Sequence, residues 1–464
     1  MQELKNFKVT CHTDNIALGT TFVAVKGMQS DGINYIPQAL AKGASTVVLP
    51  EDAILSDEIK KSINTYQPAI LRVADCRQAL STLSAQAFNY PAKKLNIIGV
   101  TGTKGKTTSA YLLYHLFKKA GYKTALITGV KNYIGNVEYK SELTTPHPDY
   151  LHAFFNECVE SQVKFVIMEA SAQGFSLKRL HDIQFSAGIF TNFDLEHSEF
   201  YANMNDYFDA KCEMFKHLKT NAPFVVNVDN AWGKKIADAH PEFTEISQNQ
   251  FKITKNDSLG LEFTILGHEF SCPNLVGTFN AYNLAGVVTL ALQMDIPVHT
   301  IQKALLTFSH VPGRMERYKL ASGAIAVIDY AHNPSSFSQI LPTLRTMTNN
   351  LIVVFGCGGS RDKTKRPIMG DIASTIADKV IITSDNPRFE KVEDIIEEIY
   401  LGCKAINKDK VKVILDRAQA IELAYKNAQS GSIIAILGKG PDEYEMIGNQ
   451  KFYFSDKENI LKCE

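Results

Sequence analysis

The amino-acid sequence predicts an α/β protein made of three successive units, with a doubly wound parallel sheet in the middle one. The chain has 464 residues, which is more than a single hydrophobic core usually serves. Short apolar runs alternate with helical patterns along it, as strands alternate with the helices that cover them. A glycine- and lysine-rich segment directly follows one of these runs. We place the domain boundaries at 1–91, 92–312 and 313–464.

The first two units differ in how continuous their apolar runs are. The first contains short runs at 21–25, 46–49 and 69–73 with helix-like segments between them, which predicts a small α/β domain. In the second, the run at 95–100 is too continuous for a half-exposed strand and is typical of a strand covered on both faces. Similar runs at 124–127, 165–168, 188–190 and 224–226 predict the doubly wound sheet.

The third unit begins after residues 311–314 and has candidate strands at 325–329, 351–355, 380–383, 411–415 and 433–437. The segments after four of these strands are polar and rich in turn-forming residues, as in Gly-Cys-Gly-Gly-Ser-Arg-Asp and Ser-Asp-Asn-Pro-Arg. Ligands of open α/β sheets collect at the carboxyl ends of the strands. One polar loop would mean little, but four of them favour a binding edge.

Composition excludes several classes of protein. Lysine plus arginine equals aspartate plus glutamate, 49 against 49, so nothing favours a nucleic-acid or anionic-membrane partner. The eight cysteines include no CxxC pair, so neither a zinc site nor a disulfide framework is indicated. The first residues contain no apolar signal segment, and no run approaches the ~20 residues that span a bilayer. We expect a soluble cytoplasmic protein.

The segment from 101 to 108, Thr-Gly-Thr-Lys-Gly-Lys-Thr-Thr, has the composition of a phosphate-binding loop. Glycines let backbone N–H groups point at phosphate oxygens, and the following helix N-terminus adds positive potential. Lys106 is placed to reach terminal phosphates, and the hydroxyl of Thr107 or Thr108 to coordinate Mg²⁺. The strict GxxxxGK[ST] spacing would need glycine at position 100, which is valine.

Two further residues have both an ordinary and a functional interpretation. Glu169 ends a buried strand and is either a solvated carboxylate or a ligand of Mg²⁺ near the loop. Lys211 lies in the middle of the apolar face of a helical pattern over 205–218. Either its stem snorkels to water, or burial favours a neutral amine that adds CO₂ to form a carbamate ligand. The pattern alone favours snorkelling.

The order of these motifs along the chain resembles that of the Mur ligase family, in its MurE branch. The resemblance also rests on the N-terminal stretch 19–44, the Leu-Thr-Thr-Pro segment 143–146, and the segments 169–174, 191–192, 196–197, 277–283 and 311–316. It implies a small N-terminal α/β domain that binds a UDP-sugar, a central doubly wound P-loop domain, and a C-terminal Rossmann-like domain. It further implies ATP and Mg²⁺, and as substrates UDP-MurNAc-dipeptide and a diamino acid.

Residue roles follow from the resemblance where positions match. The catalytic residues implied are Lys106, Glu169, His197 and Lys211, the last of them as the carbamylated lysine. The metal ligands implied are Thr107, Glu169, His197 and Lys211. The nucleotide-binding set is Gly102, Thr103, Lys104, Gly105, Lys106, Thr107, Thr108, Asn280, Asn283, Arg314, Asp329 and His332. The muramoyl-peptide set is Thr13, Thr144, Thr145, Ser171 and Arg179, and the amino-acid pocket is Arg361, Asp385, Asn386, Arg388, Gly438 and Asp442.

Several departures from the family pattern affect specificity. Asp385-Asn386-Pro387-Arg388 matches the form associated with meso-diaminopimelate, and a bidentate arginine suits the distal carboxylate that lysine lacks. However, the family's usual Gly-Lys-Gly-His-Glu is replaced by Gly-Lys-Gly-Pro-Asp at 438–442. In addition, the lysine at position 104 is similar to the residue found in lysine-adding relatives. We therefore expect meso-diaminopimelate, with L-lysine or another diamino acid as the alternative.

Other functions fit the sequence less well. A folylpolyglutamate or cyanophycin synthetase would lack the N-terminal UDP-domain pattern. A non-catalytic paralogue that only binds UDP-muramoyl-peptide would not need the complete set of Lys106, Thr107, Glu169, His197 and Lys211. A P-loop motor or switch would need a Walker-B aspartate, for which there is no candidate. We expect a monomeric ligase with no nucleic-acid or membrane partner.

Overall fold

A computed structural model describes residues 2–5, 7–27, 30–194 and 200–464. The chain divides into two compact units, one of residues 1–248 with 283–304 and the other of residues 249–282 with 305–464. The mixed α/β class expected from the sequence is confirmed. Within the described ranges, no helix is both long and apolar enough to cross a membrane.

The N-terminal part of the first unit is a small parallel sheet with the strand order β1-β2-β3-β4. Its residues are mostly β-branched or aromatic, which suits a pleated and half-buried surface. The strands are β1 Val9–Thr10, β2 Thr21–Val23, β3 Thr46–Pro50 and β4 Ala69–Val73, and the helices are α1 Ile36–Ala41, α2 Asp57–Tyr66 and α3 Cys76–Ala87. Short 3-10 helices span Thr13–Asn15, Gly32–Tyr35 and Pro91–Lys94.

The rest of the first unit is built on an eight-stranded sheet. Its strands are β5 Asn96–Thr101, β6 Thr124–Ile127, β7 Asn132–Ile134, β8 Val137–Tyr139, β9 Phe165–Glu169, β10 Ala187–Phe190, β11 Phe224–Asn227 and β12 Thr244–Ile246. They follow the order β12-β11-β10-β5-β9-β6-β7-β8, and all pairings are parallel except those of β7 with its neighbours. The helices are α4 Lys106–Lys119, α5 Pro148–Glu160, α6 Ala172–Ser176, α7 Met204–Lys216 and α8 Ala231–Ala239.

The register of the central strands decides which residues meet at the carboxyl edge. Strand β5 lies between β9 and β10, with Val100 paired to Glu169 and Thr101 paired to Phe190. Residues 97–101 are buried because the sheet is covered on both faces. The loop after β5 therefore emerges beside the ends of both neighbouring strands.

The second unit contains two further sheets and a hairpin. Strands β13 Phe251–Asp257, β14 Gly260–Ile265 and β15 His268–Cys272 form an antiparallel sheet, which the sequence patterns did not predict. Helices α9 Thr278–Gln293 and α10 Val298–Leu306 follow in the chain. The larger sheet has strands β16 Glu316–Lys319, β17 Ile325–Asp329, β18 Leu351–Phe355, β19 Lys379–Ile382, β20 Val411–Val413 and β21 Ile433–Leu437, and the hairpin has β22 Tyr444–Ile447 and β23 Gln450–Tyr453.

The larger sheet of the second unit has the strand order β16-β17-β21-β18-β19-β20, and only β16 is antiparallel to its neighbour. Its helices are α11 Pro334–Arg345, α12 Lys365–Ile376, α13 Val392–Gly402, α14 Arg417–Asn427 and α15 Asp456–Leu461, and a 3-10 helix spans Ala405–Lys410. Separate apolar clusters lie on the two faces of this sheet. The arrangement confirms the expected Rossmann-like sheet, whose polar loops follow β17, β18, β19 and β21.

Candidate active site

Two glycines give the loop after β5 its shape. Gly102 has φ +134° and Gly105 has φ +81°, both in the region that side chains disfavour. A β-carbon at Gly102 would lie 2.0 Å from Thr191 Oγ1, and one at Gly105 would lie 2.3 Å from Asn283 Oδ1. Helix α4 begins directly after Gly105, so its first N–H groups border the loop and favour an anion there.

The segment after β10 holds the loop in place. The Asn192 side chain accepts from Lys104 N at 2.8 Å and donates to Lys104 O at 3.0 Å. Thr191 Oγ1 donates to the same carbonyl at 2.6 Å, and Thr103 N donates to Asn192 O at 2.9 Å. Thr191 and Asn192 formed part of the recognised motif, but the sequence did not indicate that they anchor the loop.

Two lysine side chains converge on one carbonyl of the loop. Lys106 Nζ donates to Gly102 O at 3.0 Å and to Thr103 O at 2.8 Å, and it makes no ion pair with any described residue. Lys211 Nζ also donates to Gly102 O, at 2.7 Å, and lies 4.4 Å from the centre of the Tyr207 ring. Because the Lys211 side chain is only 1% exposed, its stem does not snorkel to water. The loop thus concentrates positive charge.

Glu169 lies beside the loop, as the register of β9 requires. Its Oε1 accepts from Thr107 Oγ1 at 2.9 Å and from Gly129 N at 3.3 Å, and the residue is 2% exposed. A carboxylate and a hydroxyl at this distance are the oxygen ligands that Mg²⁺ prefers. His197 lies outside the described residues. Among the residues that are described, no three His, Cys, Asp or Glu side chains form a metal-binding group.

Three of the residues assigned to the muramoyl-peptide lie against the end of β9. Thr145 Oγ1 donates to Glu169 O at 2.9 Å and accepts from Ser171 N at 3.0 Å. Arg179 Nη1 donates to Thr145 O at 2.8 Å, while its buried Nε has no hydrogen-bond partner within the described part of the chain. Burial lowers the pKa of Arg179. These three residues are therefore brought together with Glu169.

The remaining residues of the first unit are placed less closely around the loop or apart from it. Thr144 Oγ1 faces Gly129, since a β-carbon on that glycine would approach it to 2.8 Å. Thr108 is buried in the first turn of α4. Thr13 begins a short 3-10 helix, and its carbonyl accepts from Lys42 Nζ at 2.9 Å. Asn283 contacts Gly105, as described above.

In the second unit, Asp329 ends β17 and holds the chain on either side of it. Its Oδ2 accepts from Met315 N and its Oδ1 from Ala331 N, both at 2.7 Å. Burial raises the pKa of Asp329, an effect opposed by the neighbouring Arg314. The Arg314 guanidinium lies 4.6 Å from the centre of the Tyr330 ring. These contacts fix Arg314 beside the end of the strand.

The other two nucleotide-binding candidates of this unit bond to nearby backbone carbonyls. His332 Nδ1 lies 2.8 Å from Tyr330 O. Asn280 Nδ2 donates to Val276 O at 2.8 Å. These bonds orient both side chains but do not themselves indicate a ligand.

The candidates for the amino-acid pocket meet at the carboxyl ends of β19 and β21. Asp385 is 6% exposed, and the buried Lys439 Nζ lies 3.3 Å from its Oδ1. Lys439 also donates to Asn386 Oδ1 at 3.3 Å and to Tyr444 O at 3.0 Å. A β-carbon on Gly438 would lie 2.7 Å from Asp385 Oδ2, so that glycine admits the carboxylate.

Groups of both signs face this edge. Burial, and secondly the charge of Asp385, raises the pKa of Asp442 to about 6. Arg388 Nη1 donates to Gly359 O at 3.0 Å, and a β-carbon on Gly358 would lie 2.9 Å from Arg388 Nη1 and 3.9 Å from Arg361 Cγ. The two arginines therefore lie close to one glycine. The arrangement suits a zwitterion with more than one carboxylate.

Sequence reasoning missed three buried cations next to this pocket: Lys439, Arg366 and Arg417. For the two arginines, the sequence contained a usable signal, namely their position on the apolar face of a helix. Arg366 shares a helix face with Met369, Gly370 and Ala373, which is the kind of placement that singled out Lys211.

Comparisons with known proteins identify the family. The Mur ligase catalytic-domain model matches residues 9–88, the Mur ligase middle-domain model 100–291, and the model of the Mur ligase glutamate ligase domain 313–440. The UDP-N-acetylmuramoyl-L-alanyl-D-glutamate–2,6-diaminopimelate ligase of Clostridium perfringens is 36% identical over 99% of this chain and 95% of its own length. The enzyme of the same name from Aquifex aeolicus is also 36% identical, over 98% and 93%.

Comparisons with solved structures point to the same family. A ligase of that name has a TM-score of 0.65 and 26% identity, covering 98% of this chain and 94% of its own. MurF ligase from Thermotoga maritima in complex with ADP has a TM-score of 0.65 at 18% identity, covering 100% and 98%, which supports the fold alone. This chain belongs to the Mur ligase family. It is an ATP-dependent ligase that forms an amide bond.

Proposed function

We propose that this ligase adds meso-diaminopimelate to UDP-MurNAc-L-Ala-D-Glu in peptidoglycan synthesis, through an acyl phosphate. The observation that carries the proposal is the carboxylate of Glu169 hydrogen-bonded to Thr107 at the start of α4. It lies beside a loop toward which two lysine side chains point. This combination suits transfer of a phosphoryl group more than mere binding of a nucleotide-sugar.

In the first step, the substrate carboxylate attacks the γ-phosphorus of ATP, the bond to the bridging oxygen breaks, and ADP leaves. Lys106 and the loop amides offset the negative charge on the transferring group. Thr107 and Glu169, together with His197, would hold Mg²⁺. When bound there, the ion would neutralise further phosphate charge.

In the second step, the amine of the incoming amino acid attacks the acyl carbon, and the acyl–phosphate bond breaks to release phosphate. The carboxylates of Asp385 and Asp442 suit an incoming ammonium group, which must lose a proton to water before it attacks. Arg361 and Arg388 suit the carboxylates. Much of the acceleration then comes from holding amine and acyl carbon in line.

The choice between amino acids rests on Arg361 and Arg388. A guanidinium binds a carboxylate through two parallel hydrogen bonds. L-lysine has no distal carboxylate, so one arginine would stay unsatisfied in its complex and its binding would be weaker. The relatives whose names specify 2,6-diaminopimelate support the same choice. L-lysine or another diamino acid is the second candidate.

The remaining assignments belong to the same proposal. Thr13, Thr144, Thr145, Ser171 and Arg179 would bind the UDP-muramoyl-dipeptide. Gly102, Thr103, Lys104, Gly105, Thr108, Asn280, Asn283, Arg314, Asp329 and His332 would bind the nucleotide. The domains would be 1–91 for the UDP-sugar, 92–312 for ATP and 313–464 for the amino acid. We also propose a cytoplasmic monomer that acts without nucleic acid or membrane, because its substrates are ATP and a nucleotide-linked precursor.

Carbamylation of Lys211 is a further part of the proposal. The hydrogen bond to Gly102 O and the position over the Tyr207 ring both suit the ammonium form. Carbamylation would convert this cation into an anionic oxygen ligand, so the side chain would have to leave Gly102 O. A bicarbonate-dependent gain of activity in the wild type, together with rescue of a Lys211→Ala variant by a small carboxylate, would support the carbamate.

The test of the function is ADP release with UDP-MurNAc-L-Ala-D-Glu and a panel of amino acids. We expect release to require both substrates and to be fastest with meso-diaminopimelate. Equal rates with L-lysine and meso-diaminopimelate would contradict the proposed specificity. ADP release that does not depend on the dipeptide substrate would contradict the proposed reaction.

A further inference from the structure

Arg366 is a charged side chain with no exposed surface, in the first turn of α12. Its guanidinium donates to Glu390 at 3.0 and 3.1 Å, to Glu398 Oε2 at 2.8 Å and to Gly358 O at 3.2 Å. Burying a guanidinium is costly, and the ion pairs that hold it often add little net stability compared with apolar residues. Its value therefore has to be sought in the geometry that it imposes.

Glu390 connects this buried cation to two loops. Besides Arg366, its carboxylate accepts from Ser360 N at 2.5 Å and pairs with Lys363 Nζ at 2.9 Å. Ser360 belongs to the loop after β18, which carries Arg361. Glu390 itself ends the loop after β19, which carries Arg388. One carboxylate thus holds both arginine-bearing loops.

Both loops have a non-glycine residue in the left-handed region: Ser360 with φ +54° and Arg388 with φ +52°. Such conformations cost roughly 1 kcal/mol each, so contacts must maintain them. Gly359 N donates to Asn386 O at 2.9 Å, and Arg388 Nη1 donates back to Gly359 O at 3.0 Å. The loops are therefore joined directly at Gly359 and, from the buried side, through Glu390.

We propose that Arg366 and Glu390 are positioning residues that set the spacing of Arg361 and Arg388, and thereby the preference for an amino acid with a second carboxylate. This rests on the proposed function in assigning the two arginines to the amino acid. Neither Arg366 nor Glu390 touches the amino acid in this proposal. They act through the two loops.

A matched control lies at the opposite edge of the same sheet. Arg345 pairs with Asp378, which also accepts from Leu351 N at 2.7 Å at the start of β18. This pair joins an arginine to a carboxylate at the amino ends of the strands. Asp378→Asn therefore removes a comparable charge without touching the two loops.

The experiment compares Glu390→Gln, Arg366→Lys and Asp378→Asn with the wild type. For Glu390→Gln we expect the KM for meso-diaminopimelate to rise about tenfold, with the KM values for ATP and UDP-MurNAc-dipeptide within about twofold. The preference over L-lysine falls accordingly. Arg366→Lys, which keeps the charge but loses the planar fork, gives an intermediate rise, and Asp378→Asn gives none.

Amide hydrogen exchange supplies a readout that needs no turnover. Glu390→Gln should speed exchange in residues 357–362 and 386–390, whereas Asp378→Asn should not. An unchanged KM together with unchanged exchange in a folded Glu390→Gln protein overturns the inference, as does an equal rise of all three KM values. A wild type that turns over L-lysine as well as meso-diaminopimelate contradicts the proposed specificity instead. In that case, two measurements still test the role of Arg366 and Glu390. They are the KM shift for whichever amino acid reacts and the hydrogen-exchange data.

Discussion

The phosphate loop of the first unit and the amino-acid edge of the second unit both lie at the carboxyl ends of parallel strands, and both contain cationic side chains. They differ in what those cations contact. At the loop, Lys106 and Lys211 donate to the backbone carbonyl of Gly102. At the amino-acid edge, Lys439 and Arg366 pair with carboxylates.

The difference indicates two ways of preparing a charged site. A carbonyl carries only a partial charge, so a polyanion arriving at the loop can compete for the ammonium group of Lys106 at little cost. A carboxylate pair in a buried setting is much harder to separate. It serves as a fixed support that shapes the pocket. The lysine at the loop can therefore exchange its carbonyl partner for a phosphate, whereas the cations at the amino-acid edge keep their carboxylate partners.

The largest effect should come from Lys106→Ala. We expect kcat to fall by more than about 10³-fold, because the ammonium offsets the negative charge on the phosphoryl group while it transfers. The melting temperature should change by no more than about 2 °C, since Lys106 leaves behind no charged partner among the residues that the structure describes. Lys118→Ala, at the far end of α4, serves as the control. A large loss of stability in Lys106→Ala would show that this lysine is a fixed support after all.

Arg388→Ala should have an intermediate effect. We expect the KM for meso-diaminopimelate to rise about 10- to 100-fold, because a bidentate carboxylate contact is lost. The KM for L-lysine should change much less. Steady-state assays with both amino acids measure the ratio. If both values rise equally, Arg388 contributes to the shape of the pocket and not to its choice of ligand.

The smallest effect concerns pH and Asp442. Its pKa is raised to about 6 by burial and Asp385, so the fold favours the protonated form and loses stability as the pH rises from about 4 through 6. Asp442→Asn should therefore be more stable than the wild type by on the order of 1 kcal/mol at pH 8, and equally stable at pH 4. Urea unfolding at the two pH values measures this, with the exposed Glu443→Gln as the control.

Asp442 should also determine the pH dependence of amino-acid binding. Only its ionised form attracts an ammonium group, so the KM of the wild type for the amino acid should rise below about pH 6. In Asp442→Asn, the KM should be high at all pH values. A wild-type KM that stays constant between pH 5 and 8 would contradict this role for the carboxylate.

Much of the fold could be predicted because its central strands are buried on both faces. Uninterrupted apolar runs, such as those at 95–100 and 433–437, leave little alternative to a covered parallel strand. The sheet of β13, β14 and β15 escaped prediction for a specific reason. Its second turn contains Leu266 at φ +51° followed by Gly267 at φ +78°, where hairpins usually have Asn-Gly.

The candidate site could be predicted only where one short segment contains its own chemistry. The loop at 101–108 and Lys211, on its apolar helix face, were both visible in the sequence. The residues that hold the site in place were not visible, since the partners of Arg366 lie 24 and 32 residues further along the chain. Nothing in local spacing encodes such a pairing. The contacts of Glu390 with Ser360 and of Asn192 with Lys104 depend in the same way on tertiary structure.

The two loop glycines have a consequence for inhibitor design. Any side chain at position 102 would collide with Thr191 Oγ1, and any at position 105 with Asn283 Oδ1. A compound that fills the space against these two positions would leave bacteria no escape by enlarging a residue there. A substitution at either position would therefore also distort the loop on which the enzyme depends.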